Sequence, residues 1–467
     1  MLLLFWFVAG AVFAEDPAPL EGTKDERETA LHVLNRLAYG PAPGDIGQVV
    51  RMGPQQWIAR QLQPESIPLP EALTARLAAL STVQMPAGAV LGQFQAAQQA
   101  VRGEEEGAKE QRRAVVARIA QETAEARLLR AVASPRQLEE VMVDFWFNHF
   151  NVYAGKGQDR ALVASYERDA IRPYAMGNFR ALLGATARHP AMLFYLDNWV
   201  SKAGGLNENY ARELMELHTL GVDGGYTQRD VLALARMLTG WTYAPRRLAD
   251  SNETFYFDAR RHDNGVKQWL GRTVTAAGQA EGEMALDILA AHPATAHHIA
   301  YKLAQYFVQD QPPPALVDRL AQRFTETNGD IRSVLQTLFA SSEFMAPAAR
   351  GAKFKTPYQY VVSALRAAGA PADSSKAALA ALNRLGMPLY GCQTPDGYKN
   401  TQQAWLNPDA LAMRIGYAVL LGKDADTAAL RTALGPAITP ATWSTVDTGA
   451  PRVQAALLLG SPDFMEH

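Results

Sequence analysis

The stretch Asn207-Glu208-Asn209-Tyr210-Ala211-Arg212-Glu213-Leu214-Met215-Glu216-Leu217-His218-Thr219-Leu220-Gly221-Val222-Asp223-Gly224-Gly225-Tyr226-Thr227-Gln228-Arg229-Asp230 reads as a helix, a glycine-rich turn and a second helix. At about 100° per residue, Asn209, Glu213, Glu216 and Leu220 share a narrow arc, with Tyr210, Leu214 and Leu217 forming the apolar arc beside it. Arg212 stands four residues from both Glu208 and Glu216 and can pair with either. Thr227 followed by Asp230 is the spacing of a capped helix start. His218 falls nearly opposite Glu213 and Glu216, so the apparent E-x-x-E-x-H box cannot aim three groups at one ion from a single straight helix. A helical zinc motif needs its histidines at i and i+4 on one face.

The same helical period extends in both directions from this pair. Helices are expected at Thr29–Tyr39, Asp45–Met52 and Gln55–Leu62, then as two long segments over Ala87–Ala131 split near Gly103–Gly107. Ser134-Pro135 opens a helix that ends in Asp144-Phe145-Trp146-Phe147-Asn148-His149-Phe150-Asn151-Val152-Tyr153. So many aromatics imply burial, and the few polar groups among them then need partners. Further helices are expected at Ala161–Met176, Phe179–Thr186, Glu281–Ala291, Pro293–Val308, Pro314–Thr325, Ile331–Ala340, Pro357–Ala368, Ser375–Leu385 and Asp409–Leu421. Two more echoes stand out. His189-Pro190 and His292-Pro293 both open helices, and Ser341 and Ser461 both cap a turn after a helix end. Between Trp241 and Gly271 the pattern alternates and is flanked by turns, the signature of a small β excursion. The expected fold class is mainly α, a large single multi-helix domain with a small β excursion near residues 241–271.

Composition sets outer bounds. The chain has 467 residues, 48% hydrophobic and 20% charged, with a formal net charge of −2, which is ordinary globular composition. Near-neutral charge gives no electrostatic case for nucleic acid or an anionic membrane as a partner. Met1–Ala14 is an uncharged apolar run ending Val12-Phe13-Ala14 and reads as a signal peptide. Residues 15–28 are then a linker and 29–467 a single helical domain, exported to the periplasm or the extracellular space. No later stretch approaches the ~20 apolar residues of a membrane span. The single cysteine, Cys392, excludes an intrachain disulfide. A nucleophile elbow, a P-loop, a dinucleotide-binding fingerprint and a C-x-x-C pair are all missing from the sequence.

Asn207–Asp230 with Thr239-Gly240-Trp241 resembles the hallmark of the bacterial family called domain of unknown function 1800. The resemblance continues, in order, through Asn35-Arg36-Leu37-Ala38-Tyr39-Gly40-Pro41, Phe145–Phe150, His262-Asp263-Asn264-Gly265-Val266-Lys267, His292-Pro293-Ala294-Thr295-Ala296 and Pro395-Asp396-Gly397-Tyr398. Tyr398 stands where many relatives have Trp. The resemblance implies an exported, largely helical protein. It also implies a shared pathway with a co-encoded exported family of unknown function, numbered 1501, and it supplies no activity or catalytic residue.

Three constellations carry candidate chemistry. Glu208, Glu213 and Glu216, with Asp223 and Asp230 across the turn, either serve as acid and base or hold a divalent cation with Asn209. Alternatively they stabilise a helix paired to Arg212. Asn148, His149 and Asn151 form either the floor of a pocket or a satisfied core network. Arg260-Arg261-His262-Asp263 with Lys267 either binds an anionic group or neutralises the acidic helix pair. A zinc site would have to gather ligands from separate segments, such as His149, His262 and Glu213, and no metal ligand set is assigned. The expectation is a hydrolase acting on envelope or extracellular glycan or another polymer. Its catalytic residues would be Glu213, Glu216 and His149, and its substrate contacts Asn148, Asn209, Arg212, Trp241, Arg261, His262, Asp263 and Lys267. The alternatives are a non-catalytic periplasmic binding or assembly protein and a metal-dependent enzyme.

Overall fold

The computed structural model describes residues 22–103, 106–369 and 374–467. Its centre is the helix Gln137–His149. Leu138, Val141, Met142, Phe145 and Trp146 are all buried, as a helix apolar on every face requires. Trp146 stands edge-on to Phe145 and stacks on Phe150, which stacks in turn on Phe179. The Trp146 indole N–H donates to the Ala175 carbonyl at 2.8 Å, so its one polar atom is satisfied. Helices Lys24–Leu37, Pro54–Gln61 and Ala108–Ala133 pack around this centre. Nearly all buried apolar residues join one continuous core. A small satellite of Leu73, Leu77, Val83, Ala126 and Leu129 ties Glu71–Ala79 to the long helix Ala108–Ala133.

The helix pair that opened the sequence reading forms as Asn209–Glu216 and Gln228–Met237. Thr227 and Asp230 make the reciprocal capping bonds, and the second Asp230 oxygen accepts the Leu270 N–H at 2.7 Å. That last bond pins a hairpin, Lys267–Trp269 paired with Arg272–Val274, onto the helix start. Leu270 and Gly271 both have positive φ, as a two-residue hairpin turn demands. A second antiparallel pair joins Trp241–Thr242 to Tyr256–Phe257. The β excursion expected near 241–271 is therefore present. It also encloses the helix Pro245–Ser251 and runs on to Val274.

Elsewhere the structure refines the expectations. Helix Lys24–Leu37 begins inside the stretch 15–28 expected as linker, because Thr23 and Glu26 close a capping box there. The single helix expected at Ala161–Met176 is broken into Asp159–Ser165, a π-helical turn Tyr166–Ile171 and a 3-10 turn Arg172–Tyr174. Pro173 has no N–H to continue the α pattern. Helices Thr427–Leu434, Pro440–Thr448 and Pro451–Leu459 occupy a stretch that periodicity left unassigned. Both serine caps form, with Ser341 and Ser461 accepting the N–H groups of Phe344 and Phe464 at 3.2 Å. Both histidine starts form too, through His189 and His292 Nδ1. The signal peptide expected at Met1–Ala14 lies outside the described residues. Among the described residues no helix is long and apolar enough to cross a membrane.

The polar groups of the central helix find their partners in one buried network. Asp144 receives Arg127, whose other nitrogen donates to Glu167 Oε2 at 3.1 Å. The guanidinium also lies 5.1–5.4 Å from the ring centres of Phe147, Tyr390 and Tyr358. Tyr390 Oη donates to Glu167 at 2.8 Å, and Arg172 grips Glu140 with two bonds of 2.9 Å. Burial works against every charge here, and the pairing outweighs it for Arg127 and Glu167. Replacing Arg127 by Met strands two buried carboxylates and is expected to cost about 3–5 kcal/mol. Urea unfolding followed by circular dichroism measures this, and a loss under about 1 kcal/mol would contradict the network's role.

Candidate functional site

Two cavities compete for attention. The larger, about 450 Å³, is an apolar groove between helices Ser375–Arg384 and Pro408–Gly422, and Arg384 and Lys423 are its only charged lining residues. The smaller, about 210 Å³, gathers Asp144, Asn148 and His149 from the central helix. Facing them are Lys302, Gln305 and Tyr306 from Pro293–Phe307, and Asp396, Tyr398, Lys399 and Asn400 from a loop. Of the two, chemistry favours the smaller, where polar and titratable groups from the central helix, a second helix and a loop converge.

Side-chain amides of the central helix hold that loop in place. Asn148 Nδ2 donates to the Tyr398 carbonyl at 2.9 Å, and Asn148 Oδ1 accepts the Tyr398 N–H at 2.8 Å. Asn151 Nδ2 donates to the carbonyls of Cys392 and Thr394 at 3.1 and 2.8 Å. Gly397 has φ +71°, and a Cβ there would meet the Asn148 carbonyl oxygen at 2.2 Å. Only glycine lets the loop come so close to the helix. Asn148, expected as a substrate contact, therefore spends its amide on positioning the loop.

His149 is buried and donates from Nε2 to the His218 carbonyl at 3.1 Å, which fixes the tautomer and leaves Nδ1 without a partner. His298 Nε2 donates likewise to the Leu217 carbonyl at 3.2 Å. The His149 ring centre lies 6.1 Å from that of His218 and 6.2 Å from that of His298. Burial, together with the nearby Lys302 charge, pushes all three below the ordinary imidazole value. His218 falls to about 3 and His298 to about 4. Burial thus favours the neutral form of all three imidazoles. Among the described residues no three His, Cys, Asp or Glu side chains are placed to share an ion. The set His149, His262 and Glu213 accordingly does not converge.

The carboxylate arc lies toward the same loop. Glu213 and Glu216 are half-buried, and among the described residues neither takes a hydrogen bond or an ion pair. Burial raises the Glu213 carboxyl, the charges of Glu216 and Asp396 raise it further, and Arg212 offsets part of this. Asp396 moves the other way. Burial alone would raise it, but hydrogen bonds from Lys399 at 2.6 Å and from Thr394 outweigh that. Arg212 itself pairs with Glu208 at 3.3 Å and Gln228 at 2.9 Å, away from Glu216, and Asn209 is exposed.

The remaining expected contacts go elsewhere. Trp241 is fully buried against Phe255, with Gly282 packed onto its indole. Arg261 donates to the carbonyls of Trp199 and Ser201, and Asp263 accepts two bonds from Arg236 at 2.8 and 3.0 Å. His262 Nε2 and Lys267 Nζ meet the two oxygens of buried Glu281 at 3.0 and 2.6 Å. The groups expected as an anion site from Arg261, His262 and Lys267 are thus engaged internally, Arg261 with backbone carbonyls and His262 and Lys267 with Glu281. Lys302 and Asp396 were not singled out by their chemistry. The signal for Lys302 was its helix, where His298, Lys302 and Gln305 recur at helical spacing on a face otherwise apolar.

The neutral histidines carry a sign. In the unfolded chain each takes up a proton below its ordinary value of 6.5, whereas the folded protein holds His218 and His298 neutral down to about 3 and 4. Stability is complete above that ordinary value and falls as the pH drops toward the folded values. Urea midpoints are expected to fall steadily from about pH 7 to about pH 4.5, and less steeply in a His298→Asn protein. Equal slopes for both proteins would contradict the assignment.

No curated protein and no solved structure matches this chain. One family model does, across residues 32–466, and with that span it covers the central helix, the loop it clamps and the carboxylate arc alike. The chain belongs to the family described as Protein of unknown function (DUF1800).

Proposed function

We propose that this protein is an exported hydrolase of envelope or extracellular polymer, with Glu213 as general acid and Asp396 as the ionised partner. What supports the reading is a pair of carboxyls, close enough for the charge of Asp396 to raise Glu213, whose surroundings push their values in opposite directions. Glu213 is raised by burial and by the charges of Glu216 and Asp396. Asp396 is lowered by Lys399 and Thr394 against its own burial. A pair split in this way supplies one protonated and one ionised group at the same pH, as cleavage of a glycosidic bond requires. Glu216 sustains the split through its charge on Glu213, and His149 forms the cavity wall behind Asp396. Export rests on the apolar run Met1–Ala14.

The acid must be protonated and its partner ionised, so activity is confined between the two carboxyl values. It falls on the alkaline side as Glu213 deprotonates and on the acid side as Asp396 takes up a proton. A second reading, an assembly protein that binds an exported partner, is favoured by one surface. Helix Pro408–Gly422 exposes Met413, Ile415, Val419 and Leu420 by 45–51% beside the apolar groove, an apolar patch of the kind that marks interaction sites.

Reducing-end release from purified envelope and extracellular polysaccharides separates the two. The native protein is expected to release ends, and Glu213→Gln and Asp396→Asn to lose about 10²-fold or more while keeping the native circular dichroism. Full activity in either variant, or no release by the native protein from any glycan, would overturn the hydrolase reading. A Glu213→Gln protein that restores every trait of a deletion strain would favour assembly.

A further inference from the structure

The charges that line the 210 Å³ cavity balance in number but not in pairing. Its charged lining residues are Asp144, Lys302, Asp396 and Lys399. Asp144 is paired with Arg127, and Asp396 with Lys399. Of these four, Lys302 alone has a side chain in no hydrogen bond and no ion pair among the described residues, and it is half-buried. The fully buried lysines of this chain differ. Lys267 meets Glu281, Lys353 meets Asp310, and Lys355 donates to the Phe464 carbonyl at 2.7 Å and to Ser363 at 3.0 Å.

A half-buried ammonium without a partner forgoes part of its hydration unless an anion makes it good. Burial and the charge of Lys399 together bring Lys302 down to about 8, with Asp396 offsetting only part. The helix positions it for a ligand: Pro293–Phe307 places Lys302 one turn after His298 and one before Tyr306, facing the central helix.

We propose that this cavity is an anion subsite in which Lys302 receives a carboxylate of the substrate, which makes the polymer an acidic one, such as a uronic-acid glycan. The word substrate rests on the hydrolase reading; the binding itself does not. A single ammonium without a salt-bridge partner matches a carboxylate better than a phosphate group, which carries about −1.5 to −2 at neutral pH. The volume argues likewise. About 210 Å³ is below the ~300–1,000 Å³ typical of sites that enclose a whole drug-sized ligand, so the cavity accepts one sugar unit or chain end. Asp396 contributes to both places, to the cavity wall and to the charge on Glu213. A unit anchored at Lys302 therefore extends toward the acid.

Thermal unfolding of the full-length protein with added sodium glucuronate, glucose or sodium phosphate tests this, and needs no turnover. Glucuronate is expected to raise the midpoint saturably, phosphate less, and glucose not at all. A Lys302→Met protein is expected to unfold at a higher temperature than the native one without ligand, and to lose the glucuronate response. A Lys376→Met protein, which removes an exposed charge elsewhere, is expected to respond as the native one does. A Lys302→Met protein that unfolds earlier, as a structural lysine would make it, or that still responds to glucuronate, overturns the subsite. Equal responses to glucose or to phosphate overturn the carboxylate assignment. Glucuronate binding without any glycan cleavage would leave the subsite standing and remove the hydrolase reading alone.

Discussion

The buried guanidinium of Arg127 ties together four elements of this structure. It sits between Asp144 and Glu167 and against three aromatic rings. It thereby joins the long helix Ala108–Ala133, the central helix, the π-helical turn Tyr166–Ile171 and the helix Pro357–Ala367. Such a network costs heavily to desolvate, and its value lies in geometry as much as in energy. Asp144 is at once the anchor of Arg127 and a wall of the cavity. The face of the central helix that carries Asn148 and His149 is fixed by the same pairing.

From that fixed face the site is assembled by a loop. Asn148 and Asn151 grip the backbone at Tyr398, Cys392 and Thr394, and Gly397 permits the close approach. The loop also carries Asp396, whose charge reaches Glu213, and Lys399, whose hydrogen bond favours the ionised form of Asp396. Backbone bonds thus set the position of a carboxyl, and a lysine sets its charge. The amides look like substrate contacts in the sequence, yet their work is to hold the scaffold one step behind the chemistry.

Much of the architecture was legible because it is local. Caps at Thr227, His189, His292, Ser341 and Ser461 depend on a few neighbouring residues, and each forms as the spacing predicts. The separation of His218 from the Glu213/Glu216 arc followed from helical geometry alone. Pairing across distance was not legible. Lys267 looked like a free cation in the sequence, but Glu281, from the helix Gln279–Ala290, pairs with it and also meets His262. Lys302 looked ordinary for the opposite reason, since what distinguishes it is a partner that is missing, and a missing partner is visible only in three dimensions. Asp396 was part of a quoted motif, but its nearness to Glu213 is made by the loop and not by sequence.

The proposed acid–base pair requires Glu213 and Asp396 to titrate apart, and that divergence can be observed directly. Carbon-13 nuclear magnetic resonance of side-chain carboxyls, assigned through Glu213→Gln and Asp396→Asn proteins, follows each group through its titration. Glu213 is expected to titrate above its ordinary value of 4.5 and Asp396 below its ordinary 3.8. Two carboxyls that titrate at ordinary values, or in the reverse order, would contradict it.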